Sequence, residues 1–188
     1  MRKLVFSINV TLDGYIDHTA MLADDELHNV STEFLNSGDI MFFGRRTYQL
    51  MEEYWPGAVN DASIPPAMRD FARRIDEIDK IVYSRTLEQA NWRNTRLLRE
   101  VDPAEIARMK EGQGGNLLIA GANLAETFMD LDLIDEYQLL VNPIILGSGT
   151  TLFRGRPGRI DLELLGTRSL ASGVVVLHYQ RVKGASHG

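Results

Sequence analysis

The 188 residues predict an α/β fold: a mixed, mainly parallel sheet with helices on both faces and an antiparallel hairpin at its C-terminal edge. Three observations carry this. Short apolar runs of strand length alternate with helical patterns through the early part of the chain. Helices then cease to separate the strands, so the last ones are joined by turns and pair antiparallel. The 44% hydrophobic fraction suffices for one sizeable core. No linker, repeat or low-complexity stretch divides the chain, so a single domain is expected over residues 1–183.

Leu4 to Val10 reads as the first strand, followed by a loop from Thr11 to Leu22 in which Asp13-Gly14 is a favoured turn pair. Asp24 to Asn36 has the spacing of an amphipathic helix, with Leu27, Val30 and Phe34 inward and Leu35 beside them. Ile40 to Phe43 is a short buried strand, and Thr47 to Tyr54 a helix ending before Trp55-Pro56-Gly57. Pro65-Pro66 opens a helix that runs to Ile75, as proline favours a first turn. Lys80 to Tyr83 and Arg96 to Arg99 are strands, Asp102 to Lys110 a helix, and Gly112 to Gly115 a turn. Asn116 to Ala120 is a further apolar strand with the helix Gly121 to Asp130 behind it. Tyr137 to Leu146 reads as a long strand broken by Pro143. Leu162 to Leu165 and Val174 to Val182 close the chain as a hairpin around Ala171-Ser172-Gly173, and Gly184 to Gly188 as a disordered tail.

Composition narrows the function. No apolar stretch approaches the roughly 18 residues that span a bilayer, so no membrane partner is expected. Met1-Arg2-Lys3 runs straight into strand residues without a leader cleavage site. The absence of cysteine excludes disulfides, thiolate metal sites and cysteine nucleophiles, and fits a cytoplasmic protein. A net charge of −6 argues against a broad nucleic-acid surface. His18, His28, His178 and His187 show no metal-ligand spacing, and no metal is indicated. His178, inside a strand pattern, reads as a packing or edge residue.

The polar chemistry gathers where strands end. Phe43-Gly44-Arg45-Arg46-Thr47-Tyr48 places a glycine, two arginines and a threonine at a helix start, whose unpaired N–H groups and positive dipole attract phosphate. Ser84-Arg85-Thr86 follows the strand Lys80 to Tyr83, so that a hydroxyl and a guanidinium fork toward one anion. Ala120-Gly121-Ala122-Asn123 lets a ligand approach the backbone at a second helix start. Solvated charge, a turn and a close helix–strand contact would account for each of these separately. All three fall at strand ends, where ligands of such sheets bind. Together they suit a pyrophosphate between two helix N-termini and a further phosphate near Arg45 and Arg85, the pattern of NADPH.

Ser7-Ile8-Asn9-Val10-Thr11-Leu12-Asp13-Gly14-Tyr15-Ile16 resembles the opening of the dihydrofolate-reductase-like superfamily. More narrowly it is similar to the reductase domain of riboflavin biosynthesis, the RibD C-terminal type, as a stand-alone member. Four further blocks match in order: Gly44 to Tyr48, Ile81 to Arg85, Ile119 to Leu124, and Leu133 to Tyr137 leading to Pro143 to Gly149 and Leu152-Phe153. The resemblance implies a three-layer fold with an eight-stranded sheet and an NADPH-dependent reductase. By position, Gly44, Arg45, Arg46 and Thr47 would bind the adenosine phosphates and pyrophosphate, and Ser84 and Arg85 would lie near the 2′-phosphate. Ala120, Gly121, Ala122, Asn123 and Leu124 would line the pyrophosphate and nicotinamide side. Asn9 and Ile16 would flank the nicotinamide, under a lid from Asp13 to Met21. The third turn in that family often carries paired glycines with a strained peptide; Ala120 stands for the first here, which makes a cis bond costlier.

The implied chemistry is hydride transfer to a C=N or C=O bond of a planar heterocycle, a small-molecule substrate. Dihydrofolate reductases place a carboxylate on the first helix to hold the ring and assist protonation. Glu26 and Asp25 are the candidates, although acidic residues in a first turn also complement the helix dipole. Trp55 either walls the substrate pocket or fills the core. Ala20-Met21-Leu22-Ala23 replaces the Trp-containing stretch of folate reducers, and Gln49 to Gly57 lacks the Ala-Asp-Asp-Pro-like segment of the riboflavin-pathway reductase. Ala23-Asp24-Asp25 lies too early to replace it. The ring is therefore left open between pteridine-like and aminouracil-like. A protein that keeps the fold and binds a nucleotide without turnover is the alternative. The late strands expose Leu162 to Leu165 and Val174 to Leu177, and a homodimer is expected through them.

Overall fold

The structure is a computed structural model that describes residues 1–154 and 158–182; the tail expected at Gly184 to Gly188 lies outside the described residues. In chain order the elements are β1 (Leu4–Thr11), α1 (Asp25–Asn36), β2 (Gly38–Gly44), α2 (Arg45–Ala58), α3 (Pro66–Glu77), β3 (Asp79–Tyr83) and β4 (Thr95–Leu98). There follow α4 (Pro103–Glu111), β5 (Asn116–Ala120), α5 (Ala122–Asp130), β6 (Glu136–Asn142), β7 (Leu162–Ser169) and β8 (Val175–Arg181). The strands make one 8-stranded sheet in the order β4-β3-β2-β5-β1-β6-β8-β7. Every pair from β4 to β6 is parallel, while β8 runs antiparallel to both β6 and β7.

Strands covered on both faces read as continuous apolar runs, and here each face takes alternate residues. Phe6, Phe42, Ile81, Leu117 and Ile119 meet Ile106 of α4 and Leu124, Ala125 and Phe128 of α5. Val5, Met41, Phe43, Val82 and Leu118, one residue out of step, meet Leu35, Tyr48, Phe71 and Ile75 of α1, α2 and α3. A third cluster of Leu27, Val30, Leu140, Leu170, Val174 and Val176 seats the first half of α1 on β6 and β8. The α/β three-layer architecture with its C-terminal hairpin is thus as the sequence predicts.

Some boundaries differ for physical reasons. The helix expected to stop at Tyr54 runs on to Ala58 with Pro56 inside it. A proline in the last turn forfeits one backbone bond, and Trp55 compensates by packing on Phe71 with ring centroids 4.5 Å apart. β6 stops at Asn142, one residue before Pro143, which has no N–H to give the ladder. β7 extends to Ser169 because its register with β8 continues through Thr167, Arg168 and Ser169, whose exposed polar side chains leave no apolar signal. The Ala120–Gly121 peptide is trans. Among the described residues no helix is long and apolar enough to cross a membrane.

Candidate active site

Three strand ends, two of them leading straight into helices and the third into a turn, open into one cleft of about 840 Å³. At the first, Gly44 ends β2 and caps α2 without a side-chain hydrogen bond, and no acidic residue stands in the first turn of α2. Arg45 and Arg46 stand there instead, exposed at the positive end of a helix dipole. Cations are disfavoured at that position, and an anion bound there would make the arrangement favourable. At the second junction Ser84 Oγ accepts from the N–H groups of Thr86 at 3.2 Å and Leu87 at 2.9 Å, which fixes the turn and leaves Arg85 exposed. Arg45 Nη1 reaches across to donate to Thr86 Oγ1 at 3.0 Å, joining the two junctions. At the third, Gly121 caps α5 at φ +92°, again with no side-chain cap and no acid in the first turn. A Cβ on Gly121 would come within 2.3 Å of Thr47 Oγ1, so only glycine lets the first and third junctions approach this closely.

The cleft is lined by Ile16, Gly44, Arg45, Arg46, Thr47, Ser84, Arg85, Ala122, Asn123 and Leu124, all expected at a cofactor site. It also takes in residues that sequence reasoning missed, among them Arg154, Thr150 and Tyr83. Tyr83 does carry a signal, being the last residue of the strand that leads into Ser84-Arg85-Thr86. Its hydroxyl is buried without a hydrogen-bond partner among the described residues, and burial raises its pKa above the ordinary phenol range. Among the described residues Arg45, Arg46, Arg85 and Arg154 pair with no carboxylate, although the chain is acidic. A cleft within the ligand-pocket range of about 300–1,000 Å³, carrying four unpaired guanidiniums and two uncapped helix starts, fits a dinucleotide with an extra phosphate.

Asn9 and Ala120 lie elsewhere, in the wall of a smaller cavity of about 120 Å³ between the sheet and α1, α2 and α3. The two cavities are neighbours in the chain: Ala120 ends β5 in one wall, and Ala122 starts α5 in the other. Phe34, Met51 and Phe71 give the small cavity apolar sides, and Ser7, Ser31 and Gln138 give it neutral polar groups. Neither Glu26 nor Asp25 lines either cavity. Glu26 Oε2 accepts from the Ala171 N–H at 2.7 Å in the β7–β8 turn, Asp25 is exposed, and Asp24 caps α1 through the Leu27 N–H at 2.7 Å. The α1 residues that do reach the cavity are Val30, Ser31, Phe34 and Leu35. Trp55 lines neither cavity and stands behind Phe71, among Tyr54 and His28.

The expected lid is anchored along its first half. The Asp13 carboxylate accepts from the Gly147 N–H at 2.8 Å and from the Leu146 N–H at 3.0 Å. Its hydrogen bonds, that from the Thr11 hydroxyl foremost, hold its pKa below the usual carboxylate range. Ile16 N–H donates to Thr150 O at 2.8 Å and Leu152 N–H to Gly14 O at 2.9 Å, so this loop and residues 144–152 form one layer over the strand ends.

Residues 2–176 match the RibD C-terminal domain. The chain belongs to that family. The uncharacterised Bacillus subtilis (strain 168) protein YyaP is 32% identical over 186 residues, 95% of this chain and 94% of YyaP. Among solved structures, a Shewanella sp. PV-4 protein ascribed to riboflavin biosynthesis superposes with a TM-score of 0.73 at 19% identity, covering 96% of this chain and 99% of its own. The diaminohydroxyphosphoribosylaminopyrimidine deaminase/5-amino-6-(5-phosphoribosylamino)uracil reductase of Thermotoga maritima gives 0.64 at 14% identity, over 96% of this chain and 57% of its own. These structures share the fold of the RibD C-terminal domain seen here.

Proposed function

We propose that the chain is an NADPH-dependent reductase that transfers a hydride to a planar heterocycle, pteridine-like or aminouracil-like. The observation that carries this is the convergence of three strand ends, with unpaired arginines and uncapped helix starts, on one cleft beside a neutral ring-sized cavity. Family membership supports the reading, as does the fold shared with a reductase. When bound, the dihydronicotinamide supplies the hydride. Arg45, Arg85, Ser84 and Thr86 would hold the 2′-phosphate. Arg46, Thr47 and the first-turn N–H groups of α2 and α5 would hold the pyrophosphate, with Ala122, Asn123 and Leu124 along its length. The reduced bond also takes up a proton, and because no ionisable side chain among the described residues lines the inner cavity, water delivers it.

Fluorescence titration separates this from a bare fold. Wild type is expected to bind NADPH at least about tenfold more tightly than NADH, and Arg45→Ala or Arg85→Ala to lose about tenfold, the scale of one charge-assisted hydrogen bond. Equal binding of both nucleotides, unmoved by either substitution, removes the cofactor assignment. The cavity's lack of an acid favours a second reading, nucleotide binding without turnover. NADPH that binds but is not consumed with dihydropterins, aminouracils or quinonoid rings would be its signature.

A further inference from the structure

We infer that the inner cavity is a subsite for a small, neutral, single-ring carbonyl compound, whose oxygen accepts a hydrogen bond from Asn9 Nδ2. The inference deepens the reductase reading and rests on it.

The orientation of Asn9 follows from groups whose roles are fixed. Asn142 is fully buried. One end of its amide faces the Leu22 N–H at 3.1 Å, which can only donate, so that end is the oxygen. Its other end faces Leu140 O at 3.1 Å, which can only accept, so that end is the nitrogen. The same Nδ2 meets the Asn9 side chain at 3.2 Å, and Asn9 must present its oxygen there. Asn9, itself in the wall of the cavity, is left with an Nδ2 that has no acceptor among the described residues. Asn142 is thus a positioning residue that makes Asn9 a donor.

Beside it stand Ser7, at the register of Gln138 on the adjoining strand, and Ser31 across from them on α1. None of these three side chains has a hydrogen-bond partner among the described residues. The remaining wall is aliphatic, aromatic and thioether, and among the described residues no cation or carboxylate belongs to it. A phosphate or carboxylate brought in here would lose its hydration without gaining a counter-charge. A neutral carbonyl ring gains the Asn9 donor, the hydroxyls and an apolar surround. At about 120 Å³ the cavity is close to the roughly 150 Å³ known to accept one benzene ring, so it takes one ring and not two. Of the candidate substrates, this excludes a phosphoribosylated ring seated whole in the cavity and a fused bicycle with a charged tail.

Met41 and Met51 both line the cavity and report its occupancy. With methionine methyls labelled by ¹³C, uracil and 2-cyclohexenone are expected to shift the Met41 and Met51 resonances saturably. Uridine 5′-monophosphate and dihydrofolate at equal concentration are expected to leave them in place. Asn9→Asp keeps the bond from Asn142 but turns the donor into a charged acceptor, and should raise the dissociation constant of 2-cyclohexenone at least about tenfold with the circular dichroism unchanged. Equal shifts from uridine 5′-monophosphate, silence toward both neutral rings, or an Asn9→Asp variant that binds as wild type would each overturn the subsite. NADPH titrated into the same samples reads the outer cleft separately. Neutral-ring binding with no NADPH binding would uphold the subsite and sink the cofactor assignment instead.

Discussion

Lys80 has the least water of any cation near the sheet, and its pH behaviour can be worked out. It is 1% exposed, donates to Asp76 O and Ile78 O at 2.9 Å and to Arg93 O at 3.2 Å, and lies 4.4 Å from the centre of the Trp92 ring. Loss of hydration pushes its pKa down to about 8, against 10.5 when free. Between these values the unfolded chain holds the proton and the fold does not. Stability should therefore rise with pH from about 8, by at most about 1.4 kcal/mol per unit. Near pH 10 the trend should turn, because Tyr48 and Tyr83 are raised and the fold then holds the extra protons. Urea unfolding of wild type and Lys80→Met from pH 7 to 10 checks it: wild type should gain stability relative to the variant as Lys80 loses its charge. A constant difference would mean that the three carbonyls hold the ammonium at its ordinary pKa.

At the scale of elements, Gly121 joins β5 to α5 and fixes the width of the cleft. Gly121→Ala should cost about 1–3 kcal/mol by chemical denaturation, through its positive φ and the contact with Thr47. Thr47→Ala in the same chain should recover part of that and not all, since it relieves the contact but not the φ. Full recovery would show that the backbone conformation costs nothing. The junctions that meet here were legible in the sequence because their signals are local: Gly44-Arg45-Arg46, Ser84-Arg85 and Gly121-Ala122 each sit within a few residues of a strand end. The inner cavity was not, because Ser7, Ser31 and Gln138 come from β1, α1 and β6 and only register brings them together. Glu26 misled for the same reason. Its partner, the Ala171 N–H, lies 145 residues away, and nothing in a first helical turn announces such a contact.

For the whole molecule, the longer of the sheet's two edge strands is β7. All of its residues are exposed, with Leu162 at 40%, Leu164 at 52% and Leu165 at 46%. An apolar edge of that length is a template for a second chain, and we expect two copies to pair along it. Sedimentation at micromolar concentration should give twice the chain mass of 21.2 kDa, and Leu164→Lys should return it to one; a wild-type monomer would reject the pairing. The other end of the sequence has the opposite situation. β1, made first, lies between β5 and β6, and the Leu4 N–H donates to Asp135 Oδ2, 131 residues on. During synthesis it leaves the ribosome with both edges unpaired and waits for most of the chain before either partner exists. Long-range parallel pairing of this kind folds slowly. The nascent chain is thus at greatest risk of aggregation in its first half, where a holding chaperone would do most good, and a chain stopped short of β6 would leave the middle of its sheet open.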